Sequence, residues 1–220
     1  MKRIISFSLW GQKPLYCDGA VANAELMPKF YKDSWKCLFY IDETTVSQDT
    51  IAAIIKNGGE VRTMGHAEDV LGMYWRFHPM FDDPEVERFI VRDTDSKPTQ
   101  REVDCVNEWI ESEKDFHIVR DCESHNVQIL GGTWGAKANC IPYFETKMKV
   151  WFSQLQPNYG NPRGLFHGTD QLFLAKEIWP IIKNNHIAHV RAGMPHLKFT
   201  SEDRELPVLE EGGHYVGMVA

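Results

Sequence analysis

Arg92-Asp93-Thr94-Asp95-Ser96 stands directly behind a hydrophobic run, residues 87–92. In an extended chain the side chains at i and i+2 point the same way, so Asp93 and Asp95 converge. Converging carboxylates repel each other unless a cation neutralises them. Hard oxygen donors of this kind suit Mg²⁺ or Mn²⁺ held together with substrate phosphates. The same residue types also suit a solvated strand-end turn, where Asp and Ser are common. An EF-hand loop opening at Asp93 is excluded, because its sixth position requires Gly and Pro98 stands there.

The elements that must position these carboxylates follow from periodicity. Strands are expected over residues 3–10, 36–41, 60–63, 87–92 and 116–119, each a short apolar run bounded by polar or turn residues. Apolar spacing predicts a helix over 19–35, with Pro28 breaking or kinking it. A second helix is expected to start at an Asp49 cap, present Ile51, Ile54 and Ile55, and stop at Gly58-Gly59. Thr99 and Glu102 have capping-box spacing and open a helix whose apolar face is Val103, Val106, Trp109 and Ile110. A helix over 170–182 and a closing strand over 214–219 complete the reading. Alternating strands and helices predict an α/β fold with a mostly parallel central sheet flanked by helices, in which ligands sit beyond the carboxyl ends of the strands.

The chain has 220 residues, 43% hydrophobic and 25% charged. This is the size and mix of one globular domain, read here as 1–220, and it excludes a disordered or fibrous chain. No linker, repeat or low-complexity stretch divides it. A formal charge of -7 argues against a general nucleic-acid binder. A phosphorylated ligand would therefore need a cation or a local basic cluster. Five cysteines, odd in number and without a C-x-x-C pair, read as free thiols in a reducing compartment. The N-terminal apolar stretch is too short and polar for a signal peptide, and no run approaches the ~20 apolar residues of a membrane span. A soluble, cytoplasmic protein is expected.

Strand, D-x-D and helix in this order resemble the GT-A fold glycosyltransferases, which use nucleotide-sugar donors and a divalent metal. Tyr16-Cys17-Asp18-Gly19-Ala20 is similar to the Tyr-x-x-Gly-Ala of glycogenin-like transferases, whose Tyr stacks on uracil. Arg76 precedes the D-x-D by a spacing similar to that family's donor-phosphate lysine or arginine. His167-Gly168-Thr169-Asp170-Gln171 resembles its Asp-Gln motif beside the transferred sugar, and His214-Tyr215-Val216-Gly217 its His-x-x-Gly, whose His is a metal ligand. The stretch 92–135 looks closer to small GT-A transferase domains of large viruses, phages and bacterial polysaccharide clusters, which implies a cytoplasmic setting, that of the host if viral. The Lys-Pro-Trp that usually follows His-x-x-Gly is missing, since the sequence ends Gly217-Met218-Val219-Ala220. Part of the donor pyrophosphate clamp must then come from elsewhere, with Arg76 and Arg92 as candidates.

The resemblance implies a single GT-A, Rossmann-like domain that moves a sugar from a nucleotide-diphosphate sugar, UDP before others, to a saccharide or glycan acceptor. It assigns Mn²⁺ or Mg²⁺ to Asp93, Asp95 and His214. Nucleotide-sugar contacts fall to Ser8, Tyr16, Arg76, Arg92, Asp93, Thr94 and Gly132. Asp170 and Gln171 become the catalytic candidates, and the Asp-Gln pair favours retention of configuration; inversion would require a general base, with Asp170 and Asp121 both conceivable. Trp134 and His125 are the acceptor candidates, above a Gly131–Gly135 floor, and residues 156–163 read as a mobile loop over the acceptor. Each has a plainer alternative: packing for Tyr16 and Trp134, a surface ion pair for Arg76, solvation for His214, an N-cap for Asp170, and structural hydrogen bonds for His117, Asp121 and His125. Two other functions remain. One is a Mg²⁺-dependent phosphohydrolase with Asp93 as nucleophile, against which Lys97 and Arg92 interrupt the expected pattern. The other is a non-catalytic saccharide- or nucleotide-binding module.

Overall fold

A computed structural model describes residues 1–32, 35–67, 69–155, 167–206 and 213–219. The expected 156–163 loop lies outside the described residues. One sheet of eight strands organises the chain: β1 (Lys2–Leu9), β2 (Lys36–Ile41), β3 (Glu60–Thr63), β4 (Val86–Arg92), β5 (Phe116–Arg120), β6 (Thr133–Lys137), β7 (His186–Arg191) and β8 (Arg204–Leu206). Their spatial order is β3-β2-β1-β4-β6-β5-β7-β8. Every pairing is parallel except those of β6, which runs antiparallel to both β4 and β5. The fold is α/β and Rossmann-like, as the alternation of elements predicts.

The central strands are buried on both faces, and period-two alternation divides their side chains between two cores. One face carries Ile5, Phe7, Phe39, Ile41 and Ile90, with Phe7 and Phe39 stacked at 4.7 Å. Helices α1 (Pro14–Tyr31), α2 (Gln48–Lys56) and α3 (Gln100–Glu111) bear buried positions on this side. The other face carries Tyr40, Phe89, Val91, Phe116 and Trp134, the last two stacked at 5.0 Å. A 3-10 segment (Asp69–Met80), helix α4 (Phe144–Gln154) and the helical stretch 169–182 cover it. That stretch comprises α5 (Thr169–Phe173), a wide π turn (Leu174–Ile178) and α6 (Trp179–Ile182). The Trp179 N–H bonds the Leu174 carbonyl, a spacing that widens the helix just before Pro180, whose ring would clash inside a regular α-turn.

Several local expectations are corrected. Helix α1 begins at Pro14, five residues before the expected start, because proline's fixed φ and missing N–H suit a first turn. Pro28 falls inside the helix without ending it; Lys32, left-handed at φ 49°, does that, its N–H donating to the Pro28 carbonyl. The cap of α2 is Ser47, which accepts from the Thr50 N–H, while Asp49 stands in the first turn. Thr99 caps α3 by accepting from the Glu102 N–H at 3.1 Å, but the Glu102 carboxylate is directed to Arg92 and Tyr31. In place of a strand over 214–219, Val219 makes one isolated bridge to Ser96. Strand β6 occupies Thr133–Lys137, so the expected glycine floor is confined to Gly131 and Gly132. All five cysteines are free thiols. No helix among the described residues is long and apolar enough to cross a membrane.

Arg92, expected at the donor phosphates, is instead in the core. Its Nε donates to the Glu102 carboxylate at 2.7 Å, where the Tyr31 hydroxyl also donates at 2.7 Å, and both charged side chains are essentially without solvent contact. Breaking a buried pair leaves an uncompensated charge. Arg92→Met is therefore expected to cost about 3–5 kcal/mol in chemical denaturation. Arg92→Met combined with Glu102→Gln should recover most of that loss; a double variant as unstable as the single one would show that the charge pair is not the cause.

Candidate functional site

A cleft of about 620 Å³ opens at the carboxyl ends of β1 and β4. From β1 the chain proceeds outward through β2 and β3, then returns to place β4 on the other side of β1. The crevice therefore lies at a topological switch point, where open α/β sheets bind ligands. Of the expected nucleotide-sugar residues, Ser8, Tyr16, Arg76, Asp93, Thr94 and Gly132 all line it. Asp95, Asp170 and Gln171 line it as well, with His167 beside them. These residues come from six separate places along the chain.

The D-x-D is held mainly by its backbone. On the buried face of α1, the Asn23 side-chain amide lies 3.0 Å from the Thr94 carbonyl, 2.9 Å from that of Ser96 and 3.0 Å from that of Gly19. Gly19 lets the helix press against the motif, since a Cβ there would stand 2.1 Å from the Thr94 oxygen. The Ser96 hydroxyl donates to the Asp93 carbonyl at 3.0 Å, and the Ser96–Val219 bridge closes the turn from the other side. This bonding leaves both Asp93 and Asp95 partly exposed toward the cleft.

Arg76 is the hub of the charged groups. One guanidinium nitrogen donates to the Asp93 carboxylate, and the other donates to Asp170 Oδ2 at 2.8 Å. Burial works against the guanidinium charge, but Asp93 and Asp170 outweigh it and raise its pKa. The Arg76 backbone N–H donates to Ser8 Oγ at 2.9 Å, tying the 3-10 segment to the end of β1. Gly131 and Gly132 form the facing wall: a Cβ on the former would stand 2.3 Å from Asp170 Oδ2, and on the latter 1.8 Å from Asp93 Oδ2. Only a residue without a side chain permits this approach. Asp95 has a different environment. Burial, and then the Asp93 charge, push its carboxyl above the usual range.

Tyr16, half-buried at the rim, has its hydroxyl pKa raised by burial and then by Asp95 and Asp93. The Lys13 ammonium stands 5.7 Å from its ring centroid. Asp170 is almost fully buried and is not an N-cap: Gly168, at φ +94°, holds that position, and Asp170 Oδ1 accepts from the Gln171 N–H at 2.9 Å.

Four expected residues are not brought to the cleft. Arg92 pairs with Glu102, as described above. Trp134 is completely buried, edge-on to Phe77 and Phe89 and stacked on Phe116, so it packs the core and has no face for an acceptor. His125 is buried, its Nδ1 accepting from the Asp121 N–H at 3.1 Å and its ring supporting Tyr215 and Gly217. Solvent-exposed His214 does not line the cleft. His117 and Asp121 are structural too: His117 stacks on Trp109, and Asp121 accepts from Arg101 at 2.6 and 2.7 Å and from the Val216 N–H at 3.2 Å. Through Asp121 the C-terminal segment is drawn over the sheet end, where Gly217 and Val219 join the cleft lining.

Residues that sequence reasoning missed include Asn23 and the rim residues Trp10 and Lys13. An asparagine at 23 interrupts the apolar stripe of Ala20, Ala24 and Met27, which is the one local signal that it bonds something. No protein-family model matches the chain, and comparison with curated proteins finds no match.

The donor set at the mouth of the cleft suits a hard divalent cation in part. Asp93 and Asp95 both present carboxylate oxygens to the cleft, and burial, then the Asp93 charge, raises the Asp95 carboxyl. Among the described residues, no group of three or more His, Cys, Asp or Glu side chains is placed to hold a cation. A cation here would complete its shell with water and phosphate oxygens, as Mg²⁺ commonly does.

Gly132→Ala is expected to destabilise the fold by about 1–3 kcal/mol, because its Cβ drives Asp93 away from Arg76. Asp93→Ala in the same background should relieve most of that strain in a double-mutant cycle; additive losses would show that the clash is elsewhere. A second expectation concerns acid. Burial pushes the His125 imidazole down to about 4, against the pull of Asp121 and Asp93. The unfolded group titrates near 6.5, so unfolding takes up a proton between these values. This contribution is complete above pH 6.5 and is lost as pH falls toward 4. Melting temperatures over pH 7.5–4.5 should decline accordingly, and His125→Gln should flatten part of the slope.

Proposed function

We propose that this protein is a metal-dependent glycosyltransferase that moves a sugar from a nucleotide-diphosphate sugar, a UDP-sugar in the first instance, to a saccharide acceptor. The observation that carries this reading is the meeting of Asp93, Asp95, Arg76, Tyr16 and Asp170 in one cleft at the β1–β4 switch point. Breaking a glycosyl–phosphate bond builds negative charge on the departing diphosphate, and a divalent cation on Asp93 and Asp95 supplies neutralisation of that charge. Arg76 offers a planar fork of donors to phosphate oxygens. Tyr16, at the rim beside β1, has the face to stack on a nucleobase, a contact worth ~1–3 kcal/mol.

Asp170 lies deeper, on the far side of Arg76 from Asp93. In this reading its carboxylate and the Gln171 side chain face the donor sugar, accept from its hydroxyls and stabilise positive charge developing at the anomeric carbon. Gly131 and Gly132 give the sugar a backbone wall without side chains. The Asp-Gln resemblance favours retention. Val219, Gly217 and His167 border the remaining opening, through which an acceptor hydroxyl would enter.

Thermal melting with UDP, GDP, CDP and ADP, each with and without Mn²⁺, tests the reading. A ligand at about 100 times its Kd stabilises by ~2.7 kcal/mol, or about 5–10 °C for a chain of this size. One nucleotide should shift Tm strongly when Mn²⁺ is present, and Asp95→Asn should abolish the Mn²⁺-dependent part. Turnover of the matching nucleotide sugar by the wild type, lost in Asp95→Asn, separates a transferase from a binding module. No shift with any nucleotide and metal, or an aspartyl-phosphate trapped on Asp93, would overturn the proposal.

A further inference from the structure

We infer that Arg76 is a resident counter-ion that competes with the divalent cation for Asp93, so that cation and diphosphate bind with strong mutual dependence. The inference rests on the transferase reading and concerns the regulation of the same site. It starts from the unequal treatment of the two D-x-D carboxylates. One Asp93 oxygen accepts from Arg76 and the other is wedged against the Gly132 backbone. Asp93 is thus already paired with a buried cation, while Asp95 faces the cleft beside it. A cation approaching this pair without a nucleotide meets one carboxylate already engaged by a buried positive charge.

The guanidinium cannot simply withdraw. Its side chain is almost fully buried, its second nitrogen is held by Asp170 at 2.8 Å, and its backbone is tied to Ser8. Its Nε is buried with no hydrogen-bond partner among the described residues. A diphosphate entering the cleft offers the nitrogen facing Asp93 an anionic oxygen in place of that carboxylate. Released from Arg76, Asp93 becomes a free ligand for the cation. By linkage, whatever factor the diphosphate adds to cation affinity, the cation adds to diphosphate affinity. A lysine at this position would be a single point charge and could not span both carboxylates. The consequence is that free divalent cation by itself occupies the site only weakly.

The test is Mn²⁺ binding, read by electron paramagnetic resonance of the free ion, on purified protein with and without UDP. Wild type should bind Mn²⁺ weakly alone and roughly 5–150-fold more tightly with UDP. Arg76→Met should bind Mn²⁺ alone roughly tenfold more tightly than wild type, and its dependence on UDP should fall toward none. Because Arg76→Met leaves Asp170 buried and unpaired, Arg76→Met with Asp170→Asn serves as the folded counterpart, checked by its melting transition. Wild type that gains Mn²⁺ affinity with UDP, alongside variants that bind Mn²⁺ alone no better than wild type, would overturn this inference and leave the transferase reading standing. Wild type that binds no Mn²⁺ with UDP or with GDP, CDP or ADP would overturn both.

Discussion

Three carboxylates, Asp93, Asp95 and Asp170, share one cleft in a protein that is already acidic, and the arrangement depends on the guanidinium of Arg76 lying between two of them. Like charges at such proximity disfavour ionisation unless a positive group is close and desolvated with them. Arginine meets this need because its donors are arranged in a rigid planar fork and it stays charged under all physiological conditions. The 3-10 segment that carries Arg76 packs Tyr74, Phe77 and Met80 into the core beneath the sheet. The guanidinium is therefore anchored by apolar packing and tied to β1 through Ser8. The electrostatics of the site and the packing of one face of the sheet are parts of one constraint.

The other end of that constraint is steric. Gly19, Gly131 and Gly132 stand where a single methyl group would collide with the Thr94 carbonyl, Asp170 or Asp93. Helix α1 and the turn before β6 can thus close on the D-x-D from opposite sides, and Asn23 satisfies the carbonyls that this closure buries. Buried polar groups are tolerated because they are paired, and the pairs join elements distant in sequence. Arg92–Glu102 links β4 to α3, Arg101–Asp121 links α3 to the end of β5, and Arg120–Asp203 links β5 to the turn before β8. Asp121 additionally accepts from Val216, which brings the last described residues to the cleft. Such pairs add little net stability, but losing one partner is costly.

These pairs also explain why some residues look functional in sequence and are not. Arg92 stands next to the D-x-D and, with the Lys-Pro-Trp missing, was a candidate for the pyrophosphate clamp. On a strand, however, neighbours point to opposite faces, and a face buried under α3 turned Arg92 toward Glu102. Trp134 was an acceptor candidate on an expected Gly131–Gly135 floor, but antiparallel pairing of β6 between β4 and β5 placed it in the aromatic core. His125 was drawn to the C-terminal segment rather than to open solvent.

Most of the residues that line the cleft were named through motif resemblance; what the sequence by itself determined is the alternation of strands and helices and the convergence of Asp93 and Asp95. Those features are local: period-two alternation, helix spacing, and glycine beside polar side chains act over a few residues, and a single chain displays them directly. What tertiary structure decided was which charged groups meet. Arg76 precedes Asp170 by 94 positions, and no local rule links them. The antiparallel insertion of β6, the seat that Asn23 provides and the burial of Arg92, Trp134 and His125 were decided in the same way. Each depends on the order in which strands assemble in the sheet, and that order is fixed by side-chain packing and charge compensation across segments that sequence spacing does not relate.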